Sequence, residues 1–200
     1  MNESGSEHTP SVTSARCASA WLTVALIVSA VGTIGSVYLS VGLGLKACPL
    51  CFYQRSFVMA ALAVQVLGWY VERSRPGLVC LLSVPMAWAG MGVAVFHEHL
   101  VLTGVLECPK ALFGLGTAPE QSLVVFVALV LAVSAGAWTG RGESQRQGAA
   151  TLIGAILFGA ALAGACVKSA PPLPLIPTAP YDAIKQPLDT CRRSFVAASK

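Results

Sequence analysis

Five long stretches without a charged side chain dominate this chain, and they leave it little choice of solvent. They cover residues 17–45, 56–71, 76–96, 121–140 and 147–167. A membrane-crossing helix needs about 20 apolar residues. Four of the runs reach that length directly. The second reaches it only if its helix begins near Cys48 and carries Arg55 in its outer turns. Charged residues make up only 11% of the chain and hydrophobic ones 55%, whereas a soluble domain carries roughly 25% charged residues. Soluble packing does not hide that much apolar surface, so the pattern predicts an all-α membrane protein with five spanning helices.

The first run is read as a permanent helix rather than a cleaved signal, because its apolar core far exceeds the roughly 7–15 residues of a signal's central region. Basic residues in the short connections set the expected orientation. Arg16, Arg73, Arg75, Arg141 and Arg146 fall on one side, and only Lys46 and Lys110 on the other, which puts the N-terminus in the cytoplasm. The Cys48 region, the loop over 97–121 and the C-terminal tail then face outward. Five further basic residues on that tail (Lys168, Lys185, Arg192, Arg193 and Lys200) run against the bias, but charges after the last span weigh less than those of early loops. Ala155, Gly159 and Ala163 form a small-residue row at i+4 spacing, suited to close helix contact in lipid. Pro85 is expected to kink the third span. The proline-rich segment 171–180 is expected to run extended over the outer surface. The net charge of +4 is small and scattered, which is not the clustered footprint of a nucleic-acid binder.

The chemistry is carried by Cys48-Pro49-Leu50-Cys51-Phe52-Tyr53-Gln54-Arg55. Two cysteines separated by two residues can close a small disulfide in the first turn of a helix. A helix N-terminus favours thiolate there and speeds exchange, and Pro49 suits a first turn because its missing N–H is not needed. Arg55 lies four residues after Cys51, one turn deeper on the same face. Its guanidinium can stabilise a thiolate or a carbonyl oxygen gaining negative charge. The alternatives are half of a zinc site or a pair of inert thiols. Zinc takes four ligands, no second CxxC exists, and an intramembrane arginine is costly to bury without use; the redox reading is favoured and no metal is expected.

This stretch resembles the signature of the disulfide-bond-formation protein B (DsbB) family of membrane quinone reductases. A second, weaker likeness lies at Gly92-Val93-Ala94-Val95-Phe96-His97-Glu98-His99. The resemblance covers roughly residues 18–140 and implies a four-helix transmembrane bundle there. Around it the reading sets a cytoplasmic tail over 1–17, an additional helix over 141–167 and an outer Pro-rich tail over 168–200. The resemblance further implies that Cys48 and Cys51 form a quinone-linked disulfide, with Cys51 nearest the quinone (ubiquinone or menaquinone), Arg55 on the quinone head and His99 nearby. It implies a DsbA-like, thioredoxin-fold dithiol oxidase as electron donor, and a bacterial inner-membrane location with the redox cysteines facing the periplasm. Vitamin K epoxide reductase-like proteins also join a helical bundle, a CxxC and a quinone, but their CxxC lies late in the chain. A non-catalytic metal-binding or assembly protein using Cys48, Cys51, His97 and His99 is the other alternative.

The chain departs from the family in two respects: its fifth span is extra, and its outer loop is short of a cysteine. The family carries a second redox cysteine pair between spans three and four, and here that loop holds only Cys108. Cys191, on the tail that the fifth span returns to the outer face, is the expected partner, with Cys166 as the rival. Cys17 and Cys80 are read as bystanders. His97 and His99 are two residues apart and do not share a helix face. Of the two, His99 is given the expected role of delivering protons. The four tryptophans are read as packing and interface anchors.

Overall fold

The structure is a computed structural model; it describes residues 12–141, 148–182 and 184–195. The N-terminal tail over 1–11, Arg146 of the orientation argument and Lys200 lie outside the described residues. The helices are α1 (Val12–Val41), α2 (Pro49–Val71), α3 (Pro76–Leu102), α4 (Ala118–Thr139) and α5 (Ala149–Ser169). All five are long and apolar enough to cross a membrane. The chain is a multi-pass, all-α membrane protein, with four helices in one bundle, a fifth beside it and an extended C-terminal tail. The first helix begins inside the segment read as tail, at Val12.

Local chemistry sets where α2 and α4 begin. Cys48 is the N-cap of α2: the Cys51 backbone N–H donates to its sulfur at 3.3 Å, and Pro49 occupies the first helical position. A capping box opens α4, with Thr117 and Glu120 each accepting the other's backbone N–H at 3.3 Å. These caps satisfy donors that have no partner within the helix.

The most buried helix is α3, packed against α2, α4 and α5. Its core contacts with α4 close around Phe126, Leu129 and Val133. Gly90 sits where a Cβ would collide with the Phe126 ring. Pro85 lies inside the single continuous helix α3. The small-residue row of α5 faces α3: a Cβ on Gly159 would stand 2.6 Å from the Pro85 carbonyl oxygen and 2.8 Å from Trp88 Cβ. Close backbone approach of this kind drives helix association in lipid, where burying apolar surface gains little. Exposed Ile27, Val31 and Ile34 of α1, and Leu157 and Phe158 of α5, give the bundle an apolar exterior. Between α1 and α2, the Ser29 hydroxyl donates to Gln65 Oε1 at 2.6 Å, with both residues fully buried.

The tail turns back onto the end of the bundle where α2 starts. Two-residue strands β1 (Leu106–Glu107) and β2 (Arg192–Arg193) pair antiparallel, with Glu107 opposite Arg192. Lys46 holds Asp189 twice, by an ion pair at 2.8 Å and by a backbone N–H donated to the Asp189 carbonyl at 2.8 Å. Arg192 stacks 3.7 Å above the Tyr181 ring and lies 3.5 Å from a Glu107 carboxylate oxygen. The Tyr181 hydroxyl donates to the Arg193 carbonyl at 2.9 Å.

Candidate thiol–disulfide site

At the first turn of α2 the Cys48 and Cys51 sulfurs stand 3.1 Å apart as thiols. Cys48 is buried and Cys51 partly so. The Cys48 thiol is held well below the ordinary cysteine range, chiefly by the hydrogen bond with Cys51 and further by His97, while burial opposes the shift. Above them, Cys108 of the α3–α4 loop is disulfide-bonded to Cys191 of the tail, with Cα atoms 4.1 Å apart. The tail hydrogen bonds and ion pairs described above bracket Cys191 on both sides. They hold an otherwise irregular segment where its sulfur reaches the helix end.

Both cysteine pairs meet at His97 of α3, which is fully buried. Its Nε2 lies 3.8 Å from the Cys48 sulfur and 3.6 Å from that of Cys108, and its Nδ1 lies 4.0 Å from the Cys51 sulfur. The buried Gln54 amide approaches Nδ1 at 3.4 Å. His99 is exposed and lies outside this cluster; the histidine among the sulfurs is His97. Residue 97 falls three, four and seven positions after the buried Ala94, Val93 and Gly90, on the face of α3 that enters the bundle. That periodicity was the signal in the sequence. Of the remaining cysteines, Cys17 is exposed, Cys80 is buried against Gly136, and Cys166 packs in the cluster around Cys48 and Val93 without joining a disulfide.

Beside the thiols a cavity of about 530 Å³ opens between α1, α2, α4 and the loop before α4. Its wall is mostly apolar, including Val31, Leu39, Val58, Leu112 and Val125, and it carries Cys51, Gln54, Arg55, Gln121 and Cys191. Arg55 is fixed there by α1: Nε donates to Ser36 Oγ at 2.8 Å, and Nη2 donates to the Ser36 carbonyl at 2.7 Å and to Ser40 Oγ at 2.6 Å. The arrangement can exchange disulfides between two adjacent pairs, and it can hold a flat apolar molecule beside one of them with a fixed cation at its edge.

The profile of the disulfide bond formation protein DsbB family matches residues 18–122. The chain belongs to the DsbB family. The chain is 30% identical to the "Probable disulfide formation protein" of Chlamydia trachomatis serovar D over 118 residues, which is 54% of this chain and 85% of that protein. It is 30% identical to the protein of the same name from Chlamydia muridarum over 115 residues, 52% and 83% of the two chains. The match to that of Chlamydia pneumoniae is 29% over 113 residues, 52% and 81%. No solved structure matches. Membership makes the chain a membrane oxidoreductase of disulfide-bond formation. The DsbB match contains Cys48, Cys51, Arg55, His97 and Cys108, and it stops before α5 and Cys191.

Proposed function

We propose that the chain is a thiol:quinone oxidoreductase that reoxidises a DsbA-like, thioredoxin-fold dithiol oxidase outside the membrane and sends the electrons to ubiquinone or menaquinone. The observation that carries this reading is the cavity on whose wall Cys51 and the anchored Arg55 stand together. Its size lies within the roughly 300–1,000 Å³ of small-molecule sites, and an apolar wall with a few convergent polar groups suits a ring that is lipid-soluble but carries carbonyls. A quinone bound there supplies the two-electron acceptor that returns the Cys48–Cys51 dithiol to disulfide.

The other steps belong to the chain itself. The thiolate of the partner attacks Cys108–Cys191, forming one mixed disulfide and releasing the other sulfur as thiolate. The partner's second thiol closes its own disulfide and leaves both Cys108 and Cys191 reduced. These two then reduce the oxidised Cys48–Cys51 pair by the same two-step exchange and re-form their own bond. His97, in reach of Cys48 and Cys51 on one side and Cys108 on the other, carries the protons between the pairs. Arg55, held by Ser36 and Ser40, stabilises negative charge at the cavity edge without having to reorganise. Arg16, Arg73, Arg75 and Arg141 lie at the opposite end of the bundle from Cys48, Cys51, Cys108 and Cys191. The positive-inside bias therefore turns the sulfur cluster toward the periplasm of a bacterial inner membrane.

The test is quinone reduction by the purified, detergent-solubilised protein supplied with a reduced thioredoxin-fold dithiol oxidase. Quinol formation is expected, with complete loss in Cys51→Ser while the helical fold is retained. Full activity in that variant defeats the reading.

A further inference from the structure

The sequence argues against a metal by counting ligands: one CxxC gives two, and zinc takes four. The fold changes the count. It brings His97 from α3 and Cys191 from the tail to the same point, so that one donor atom from each of Cys48, Cys51, His97 and Cys191 lies within 4.8 Å of every other. Donors bound at 2.0–2.3 Å around a tetrahedral zinc stand about 3.3–3.8 Å apart. The Cys48 and Cys51 sulfurs, at 3.1 Å, and the Cys48 sulfur and His97 Nε2, at 3.8 Å, are already close to that spacing. The donor set is sulfur and imidazole with no carboxylate, which selects thiophilic cations over calcium or magnesium. His97 is fully buried, and the buried Gln54 amide addresses its far nitrogen, Nδ1.

We propose that opening of the Cys108–Cys191 bond completes a metal site, in which Cys48, Cys51, Cys191 and His97 bind one zinc-like cation and hold the relay in its reduced form. In the present state Cys48 and Cys51 are free thiols, and Cys191 is engaged in the disulfide. A dithiol supplies the two electrons that open that bond and is itself oxidised to a disulfide. The cation then displaces the protons of the three thiols. Cys108, whose sulfur lies 3.6 Å from the same imidazole, becomes a spare thiol outside the donor set. A cation held in this way blocks re-formation of Cys48–Cys51, so the site is a metal-sensitive brake that engages only when reductant outruns acceptor. Binding can be driven by an added reductant alone, so it stands or falls separately from the quinone reading.

The experiment titrates the full-length, detergent-solubilised protein with Co²⁺ under anaerobic conditions, before and after complete reduction and removal of the reductant. The reduced protein is expected to take up one equivalent, with thiolate-to-cobalt charge-transfer absorption and the visible bands of tetrahedral Co²⁺, both erased by Zn²⁺. The oxidised protein is expected to show neither. Cys191→Ser and Cys108→Ser lose the same disulfide and share any cost to folding, so their difference isolates the ligand. Cys108→Ser should keep the spectrum and affinity of the reduced protein, and Cys191→Ser should lose them. Absence of charge-transfer bands in the reduced protein, or equal affinity in the two cysteine variants, overturns the proposal.

Discussion

The His97 ring lies against a sulfur of each cysteine pair, and in the proposed relay it moves the protons between them. A positioned acid–base group contributes roughly 10²–10⁴-fold to proton-coupled steps, so His97→Ala should slow exchange between the pairs by about 10²-fold. Rapid-quench alkylation after mixing with a reduced dithiol measures that step, and His99→Ala should leave it unchanged. The depressed pKa of Cys48 makes a second prediction, about pH. An ordinary thiol loses its thiolate below a pKa of about 8.5. Cys48, stabilised as thiolate by Cys51 and then His97, should keep reacting with iodoacetamide as pH falls through that range and slow only in acid. Removing His97 should move the midpoint upward. The sequence revealed Cys48, Cys51 and Arg55 because they share one helix turn and its extension. It hid Gln54 and the place of His97 among the sulfurs, which follows from the buried face running through Gly90, Val93 and Ala94.

The spans were legible at the level of elements, since a charge-free run of sufficient length has few alternatives in lipid. Their ends depended on side chains that no hydropathy pattern registers: the Cys48 sulfur that caps α2, and the Thr117–Glu120 pair that opens α4. The β1–β2 pairing was out of reach, because two-residue strands carry no periodicity and these lie far apart in the chain. The small-residue row of α5 was readable, and its consequence is testable. In Gly159→Val the new side chain meets the Pro85 carbonyl, a backbone atom that cannot rotate away. Overpacking of this kind costs about 1–3 kcal/mol. Thermal unfolding in detergent should show lower stability than in Ala155→Gly, which adds no atoms to the seam.

For the molecule as a whole, the bundle and the tail divide the work. The family match ends at residue 122, and the partner of Cys108 arrives only after a further helix and an irregular segment. Sequence could name Cys191 as a candidate because the fifth span had to return the chain to the same side. It could not supply the ion pairs and backbone hydrogen bonds that hold the segment there. A chain ending after Ala170 should therefore still reduce quinone with dithiothreitol, which reaches Cys48–Cys51 directly, and fail with a thioredoxin-fold dithiol. Comparing quinol formation from the two donors measures that separation.

The bond between Cys108 and Cys191 joins positions 83 residues apart, so α4, α5 and the start of the tail form a covalent ring. Opening the bond unties the ring, and the short clasp at Lys46, Glu107 and Val105 then holds the loose end. A single proteolytic nick between Pro171 and Pro180 would thus be silent while the ring is closed. It would release the segment that follows the nick as soon as the ring opens and the clasp lets go. The mass of the nicked chain in a non-reducing gel then gives a direct count of how many molecules are tied at any moment.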